Sequence, residues 1–167
     1  RVEIPFEGAE LQCNFHLLKG RPKAPCVIFI PGCDMTKEIY PDPQINHALD
    51  RGMHLLVMDG PGQGMSNLRG TKLTADNYER SVIAVAKITV FSQSMGCHWG
   101  LAAAAMGDPI IKANAGVWAS YLDKYYILDT FSPRYKQLFG YLTGAKSEEE
   151  LDKIVSQMTV EGKEAGI

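Results

Sequence analysis

The chain has 167 residues, of which 46% are hydrophobic and 22% charged, with sixteen Gly and nine Pro. These are the proportions of one ordinary globular domain, and they exclude disorder, collagen and coiled coil. Seventeen Lys and Arg against nineteen Asp and Glu give a net charge of -2, with no basic block to neutralise phosphates, so nucleic acid is not an expected partner.

Two alternating stretches open the sequence, Val2–Phe6 and residues 11–18, on either side of Glu7-Gly8-Ala9-Glu10. Period two with a Gly-containing gap predicts a hairpin of half-buried strands. After a polar turn, Cys26–Ile30 is five apolar residues in a row, ending at Pro31-Gly32. An unbroken apolar run between turn residues is what a strand covered on both faces requires. The pattern recurs at 55–58, running into Asp59-Gly60-Pro61-Gly62-Gln63-Gly64, and at 88–91, running into Ser92-Gln93-Ser94-Met95-Gly96. Residues 113–119 are a weaker fourth case. Helical patterns lie between the runs, at 44–51, 76–86 and 95–106. The second offers Asp76 and Glu79 as a capping box, with Tyr78, Val82 and Val85 on one face. A hairpin followed by alternating buried strands and helices predicts an α/β fold with a mostly parallel sheet.

Beyond residue 120 the character changes. Five of the seven tyrosines, Tyr121, Tyr125, Tyr126, Tyr135 and Tyr141, fall within 121–141. Ser147 and Glu150 then open a helix whose stripe is Leu151, Ile154, Val155 and Met158. No strand is legible after Ala119. The expected organisation is a core over 1–120 and a helical excursion over 121–167 that covers the site.

No apolar run approaches the roughly 18 residues of a membrane span, and the start, Arg1-Val2-Glu3-Ile4-Pro5, has no apolar signal region. Cys13, Cys26, Cys33 and Cys97 lack CxxC spacing and read as reduced thiols. The location expected from these features is cytoplasmic, with no membrane, cofactor or metal; a homodimer is left open. Gly60, Gly62 and Gly64 have neither dinucleotide-loop spacing nor a Walker lysine.

The chemistry concentrates at Ser94. Residues 87–97 read as buried strand, tight turn and Ala-rich helix, the context of the nucleophile elbow G-x-S-x-G, in which Ser92 replaces the first glycine and Gly96 keeps the second. The elbow lifts the serine oxygen above the sheet and sets it at a helix N-terminus, where free N–H groups favour developing negative charge. The bland alternative is that Ser94, or Ser92, only caps the helix. Pro31-Gly32-Cys33-Asp34 follows the first buried strand, where the N–H of Cys33 would join that of Met95 as an oxyanion hole; an ordinary turn is the competing account.

In order and spacing, Ile30-Pro31-Gly32-Cys33-Asp34, residues 59–66 and residues 91–96 resemble the α/β-hydrolase superfamily. The D-G-P-G-Q-G-x-S loop and Thr36-Lys37-Glu38 bring the sequence nearer to the FrsA-like esterase group, which includes fungal hydrolases that shorten polyketide pigment precursors. The resemblance implies an α/β-hydrolase fold, incomplete at the C-terminus, and a Ser–His–Asp triad with Ser94 as nucleophile. Its expected substrate is a small carbonyl compound, either a ketone of polyketide-like or aromatic type cleaved at a carbon–carbon bond, or an ester. It also implies that the triad acid and histidine, which follow the serine after later strands, lie outside this chain, as does an N-terminal helical cap. His16, His47, His54 and the helical His98 are poor substitutes, and Asp123 and Asp129 read as surface charge. At 85–88 a helix runs into a strand with no loop, which predicts residues missing between Ala86 and Lys87. Two rival functions remain: an inactive hydrolase-fold binding protein and an acyltransferase.

Overall fold

The computed structural model describes residues 1–42, 44–85, 89–106, 113–117 and 133–158. Among the described residues six strands form one sheet: β1 (Val2–Phe6), β2 (Ala9–His16), β3 (Cys26–Ile30), β4 (His54–Asp59), β5 (Thr89–Gln93) and β6 (Ala113–Val117). Their order is β1-β2-β4-β3-β5-β6. The β1–β2 and β2–β4 pairs are antiparallel; β4–β3, β3–β5 and β5–β6 are parallel. The predicted hairpin and mostly parallel sheet are therefore present. The expected gap at Ala86 and Lys87 lies outside the described residues, as do Tyr121, Asp123, Tyr125, Tyr126 and Asp129.

The central strands show why their sequences are unbroken apolar runs. All six residues of β4 are buried. Ile28, Ile30, Leu56 and Met58 point into one core, while Phe29, Leu55 and Val57 point into a second with Ala48. Alternate side chains thus enter opposite layers, and a polar residue on either face would be desolvated.

The helices are α1 (His47–Asp50), α2 (Gly64–Leu68), α3 (Asn77–Val85), α4 (Met95–Ala105), α5 (Pro133–Thr143) and α6 (Glu148–Ser156). The first is shorter than the 44–51 pattern. In α6, Ser147 accepts the Glu150 N–H as expected, although the Glu150 carboxylate receives the N–H of Lys146 rather than that of the cap. Phe139, Leu142, Leu151 and Val155 carry α5 and α6 into the larger core.

The proposed Asp76–Glu79 capping box does not form. Asp76 pairs with Arg80, and Oε2 of Glu79 is buried without a hydrogen-bond partner. Glu79 lines a cavity of about 320 Å³ with Leu73, His98, Trp99 and Met158. Burial raises the Glu79 carboxyl above its ordinary range, with a smaller push from Asp76. A carboxyl whose folded-state pKa is raised contributes its full stability below the unfolded value and loses it as pH rises through the folded value. Glu79→Gln removes the charge that burial disfavours and is therefore expected to stabilise the protein at neutral pH, read as a higher denaturant midpoint. The gain should shrink as denaturation is repeated at pH values below the ordinary carboxylate range.

Candidate active site

The site lies where β3 and β5 end side by side, with Ile30 registered against Ser92. Ser94 occupies the link between β5 and α4 at φ 54° and ψ -130°. Among the described residues only Glu7 shares a positive φ without being glycine. Such a backbone costs of order 1–3 kcal/mol and persists only where its surroundings hold it. It also bears on the capping account of this serine. Ser94 stands at the N-cap position, yet its side chain makes no capping hydrogen bond; only its carbonyl joins the helix, accepting from the N–H of Cys97 at 2.9 Å. The residue is half-buried.

Close approach explains the small residues around it. A Cβ on Gly96 would lie 2.5 Å from the Ile30 carbonyl oxygen and 2.7 Å from that of Pro31, so no larger residue fits there without moving backbone. A Cβ on Gly32 would lie 3.1 Å from Cβ of Ser94. The turn after β3 and the serine are thus in contact. Gly32 accepts the N–H of Met35 at 3.0 Å, which curls this turn back on itself. Met95 is the first residue of α4, and an N–H at that position has no partner within its own helix.

Cys33 is buried, and burial, helped by the Asp34 carboxylate, pushes its thiol up to about 12. The side chain is therefore a neutral thiol and a poor nucleophile at ordinary pH. Tyr135 on α5 comes within electrostatic range of Cys33 and Asp34, and burial raises its hydroxyl. Tyr135 packs, partly buried, against the core that includes Cys33, whereas Tyr141 is exposed.

Among the described residues, no histidine is hydrogen-bonded to Ser94. His98 is in α4 and lines the cavity beside Glu79, where burial lowers its pKa. His54 begins β4 rather than preceding it, and its Nδ1 accepts the Leu18 N–H at 3.0 Å. His16 is in β2 and His47 in α1. No cluster of metal-ligating side chains occurs among the described residues, and none of their helices is long and apolar enough to cross a membrane. All four cysteines are free thiols.

Sequence reasoning missed the framework behind the turn. Asp59 and Lys37 are a buried ion pair at 2.8 Å. Asp59 also accepts the N–H of Lys37 at 2.6 Å and that of Met65 at 2.9 Å, so one carboxylate ties the segment after β3 to the start of α2. Gln63 is buried as well. Its Oε1 accepts the Gly60 N–H at 3.1 Å and the Tyr78 hydroxyl; its Nε2 donates to the Gly32 carbonyl at 2.6 Å and to that of Met35 at 3.3 Å. Tyr78 stacks on Trp99 of α4, with ring centroids 3.7 Å apart. Gly60 must be glycine, since a Cβ would fall 2.2 Å from the Tyr78 ring. An alternating charge or hydrophobic pattern signals none of this; a glutamine inside a Gly-Pro loop looks like turn filler.

A mostly parallel sheet with an antiparallel hairpin at its edge, and a serine forced to positive φ between a central strand and the next helix, define the α/β-hydrolase class, and the chain belongs to that superfamily. No protein-family model matches it. The sequence is 29% identical over 163 residues to 2,6-dihydropseudooxynicotine hydrolase of Paenarthrobacter nicotinovorans, covering 90% of this chain and 42% of that protein. It is 33% identical over 137 residues to Hydrolase LUC6 of a Fusarium species, covering 68% of this chain and 32% of that one. The crystal structure of a 2,6-dihydroxy-pseudo-oxynicotine hydrolase superposes with a TM-score of 0.77 at 27% identity, over 95% of this chain and 47% of that chain. Est1E of Butyrivibrio proteoclasticus, bound to ferulic acid, superposes with a TM-score of 0.58 at 25% identity, over 68% of this chain and 51% of its own. The chain thus spans less than half the length of the two sequence relatives.

Proposed function

We propose that the protein carrying this chain is a serine hydrolase in which Ser94 attacks a carbonyl carbon. The observation that carries this is the Ser94 backbone, held at φ 54° between β5 and α4 with its hydroxyl unused as a cap. In the reaction, the Ser94 Oγ–carbon bond forms while a histidine supplied by another part of the protein takes the hydroxyl proton. The N–H groups of Met95 and Cys33 receive the negative charge on the carbonyl oxygen. The acyl bond then breaks, its electron pair leaving on carbon as an enol or on oxygen as an alcohol, with the proton returned by the histidine. Water releases the acyl group as a carboxylic acid.

Two names among the relatives support hydrolysis, and the resemblance to the FrsA-like group favours a carbon–carbon bond beside a ketone. The substrate we propose is a small ketone whose departing carbon is stabilised, such as a β-diketone or an acyl-phenol; an ester would use the same groups. The packing of Tyr135 against the core that includes Cys33 supports an aromatic wall. A panel of β-diketones, acyl-phenols and aryl esters, incubated with the full-length protein in heavy-oxygen water, tests this. The expected result is a carboxylate product carrying the label, with the diketone or acyl-phenol cleaved fastest. Cleavage of esters alone removes the carbon–carbon assignment, and turnover of nothing in the panel favours a binding protein.

A further inference from the structure

We infer that Gln63 is a positioning residue for the oxyanion hole: it sets the direction of the Cys33 N–H by gripping the other end of the same peptide group. The inference rests on the proposed role of Ser94 and of the Met95 and Cys33 amides, and adds a side chain outside them.

The Gly32 carbonyl and the Cys33 N–H belong to one peptide unit. No cis peptide is found there, and in a planar trans peptide the C=O and N–H point in opposite directions. Whatever fixes the oxygen therefore fixes the amide hydrogen. The oxygen is held twice, by the Met35 N–H at 3.0 Å from within the turn and by Gln63 Nε2 at 2.6 Å from the neighbouring loop. Both lone-pair directions of the carbonyl are then occupied, and the plane has little freedom to rotate.

The orientation of the Gln63 amide is itself determined by chemistry. A backbone N–H, that of Gly60, can only donate, and the carbonyls of Gly32 and Met35 can only accept. Oxygen must therefore face Gly60 and nitrogen must face Gly32. Tyr78 adds its hydroxyl on the oxygen side, and its ring is clamped against Trp99 in the helix that begins at Met95. One buried chain of contacts thus runs from α4 through Tyr78 and Gln63 to the peptide that carries the second donor. A Cβ on Gly32 would lie 3.1 Å from Cβ of Ser94, so this peptide runs beside the serine. An oxyanion donor is effective because it is aimed before charge develops, and this is the group that aims it.

The test uses the full-length protein and two covalent probes, an alkyl fluorophosphonate and its P=S analogue. The phosphoryl oxygen of the first occupies the oxyanion hole during attack by serine, whereas sulfur is a poor hydrogen-bond acceptor and gains little there. The native protein should be phosphonylated faster by the P=O probe. In Gln63→Glu the carboxylate still accepts from Gly60 and Tyr78 but cannot donate to Gly32. Its P=O reaction should slow on the order of 10-fold to 100-fold, less than the loss of a donor outright. The P=S reaction should be nearly unchanged, so the preference between the probes collapses. A role confined to folding would slow both probes alike. Tyr78→Phe keeps the ring stacking and removes only the hydroxyl on Gln63; it should move the preference the same way by about 5-fold, and it decides the matter if Gln63→Glu does not fold. Folded variants that keep the native preference overturn the inference while leaving Ser94 as nucleophile. Labelling that persists in Ser94→Ala overturns the nucleophile and this inference together, and so does a native protein indifferent to the two probes, for the hole.

Discussion

Replacing Ser94 by alanine in the full-length protein is expected to lower kcat by on the order of 10⁵-fold to 10⁶-fold, the scale seen when the nucleophile of a serine hydrolase is removed. Substrate binding should be little affected, because alanine deletes one oxygen from a half-buried position. Folding should be no worse than native unless alanine tolerates the backbone less well. The φ of 54° is unfavourable for both residues, and the contacts of Gly96 and Gly32 that force it remain in place. A loss of rate without loss of structure is therefore the signature, read by comparing turnover with a denaturant melt on the same preparation. If the hydroxyl served only as a helix cap, the variant would lose about 1 kcal/mol of stability and keep its chemistry.

The second large effect is one of stability. Lys37→Met is expected to cost about 3–5 kcal/mol, because it leaves the Asp59 carboxylate buried without its counter-charge. Asp59 is fully buried and Lys37 nearly so, so water cannot replace the missing ammonium. The pair also has a positional consequence. Lys37 lies in the segment that follows β3, and Asp59 ends β4 and holds the first turn of α2. Combining Lys37→Met with Asp59→Asn removes the charge along with its partner, and the double variant should be more stable than Lys37→Met alone. Denaturant midpoints of the two single variants and the double variant measure the coupling directly. Strict additivity would show that the two side chains do not depend on each other.

Much of the sheet was legible because a strand buried on both faces leaves a short unbroken apolar run, bounded here by turn residues. The runs at Cys26–Ile30 and 55–58 have no polar residue to spare, and the structure sends their alternate side chains into two separate cores. The hairpin was legible from period two, although β2 begins at Ala9, inside what looked like the connecting gap. Helix α2 was not legible. It is five residues long and opens on Gly64, and its start is held by the Asp59 carboxylate and by Ser66, whose hydroxyl donates to the Asp59 carbonyl at 2.7 Å and accepts the Gln12 N–H at 2.8 Å. Those are tertiary bonds, invisible to local pattern. Asp76 and Glu79 had the spacing of a capping box, but Arg80 offered Asp76 a charged partner, and α3 turns Glu79 toward the cavity lined by His98 and Trp99.

At the site, the sequence supplied the serine and the small residues beside it without separating nucleophile from cap, since both roles place serine immediately before a helix. The structure adds that Ser94 stands at the N-cap position without a side-chain capping hydrogen bond, which supports the nucleophile reading over the cap. Gln63 and Tyr78 stayed hidden for a different reason. Their roles depend on which carbonyls and amides meet across 31 and 15 residues of chain, and only the packed structure brings these together.

The most direct measurement is the site of covalent modification. The native full-length protein is treated with a fluorophosphonate, digested, and each peptide weighed and sequenced by mass spectrometry. A single adduct on Ser94, absent from Ser94→Ala, is the predicted result. An adduct on a different serine with Ser94 unmodified, or a folded protein that takes up no probe at all, would contradict it.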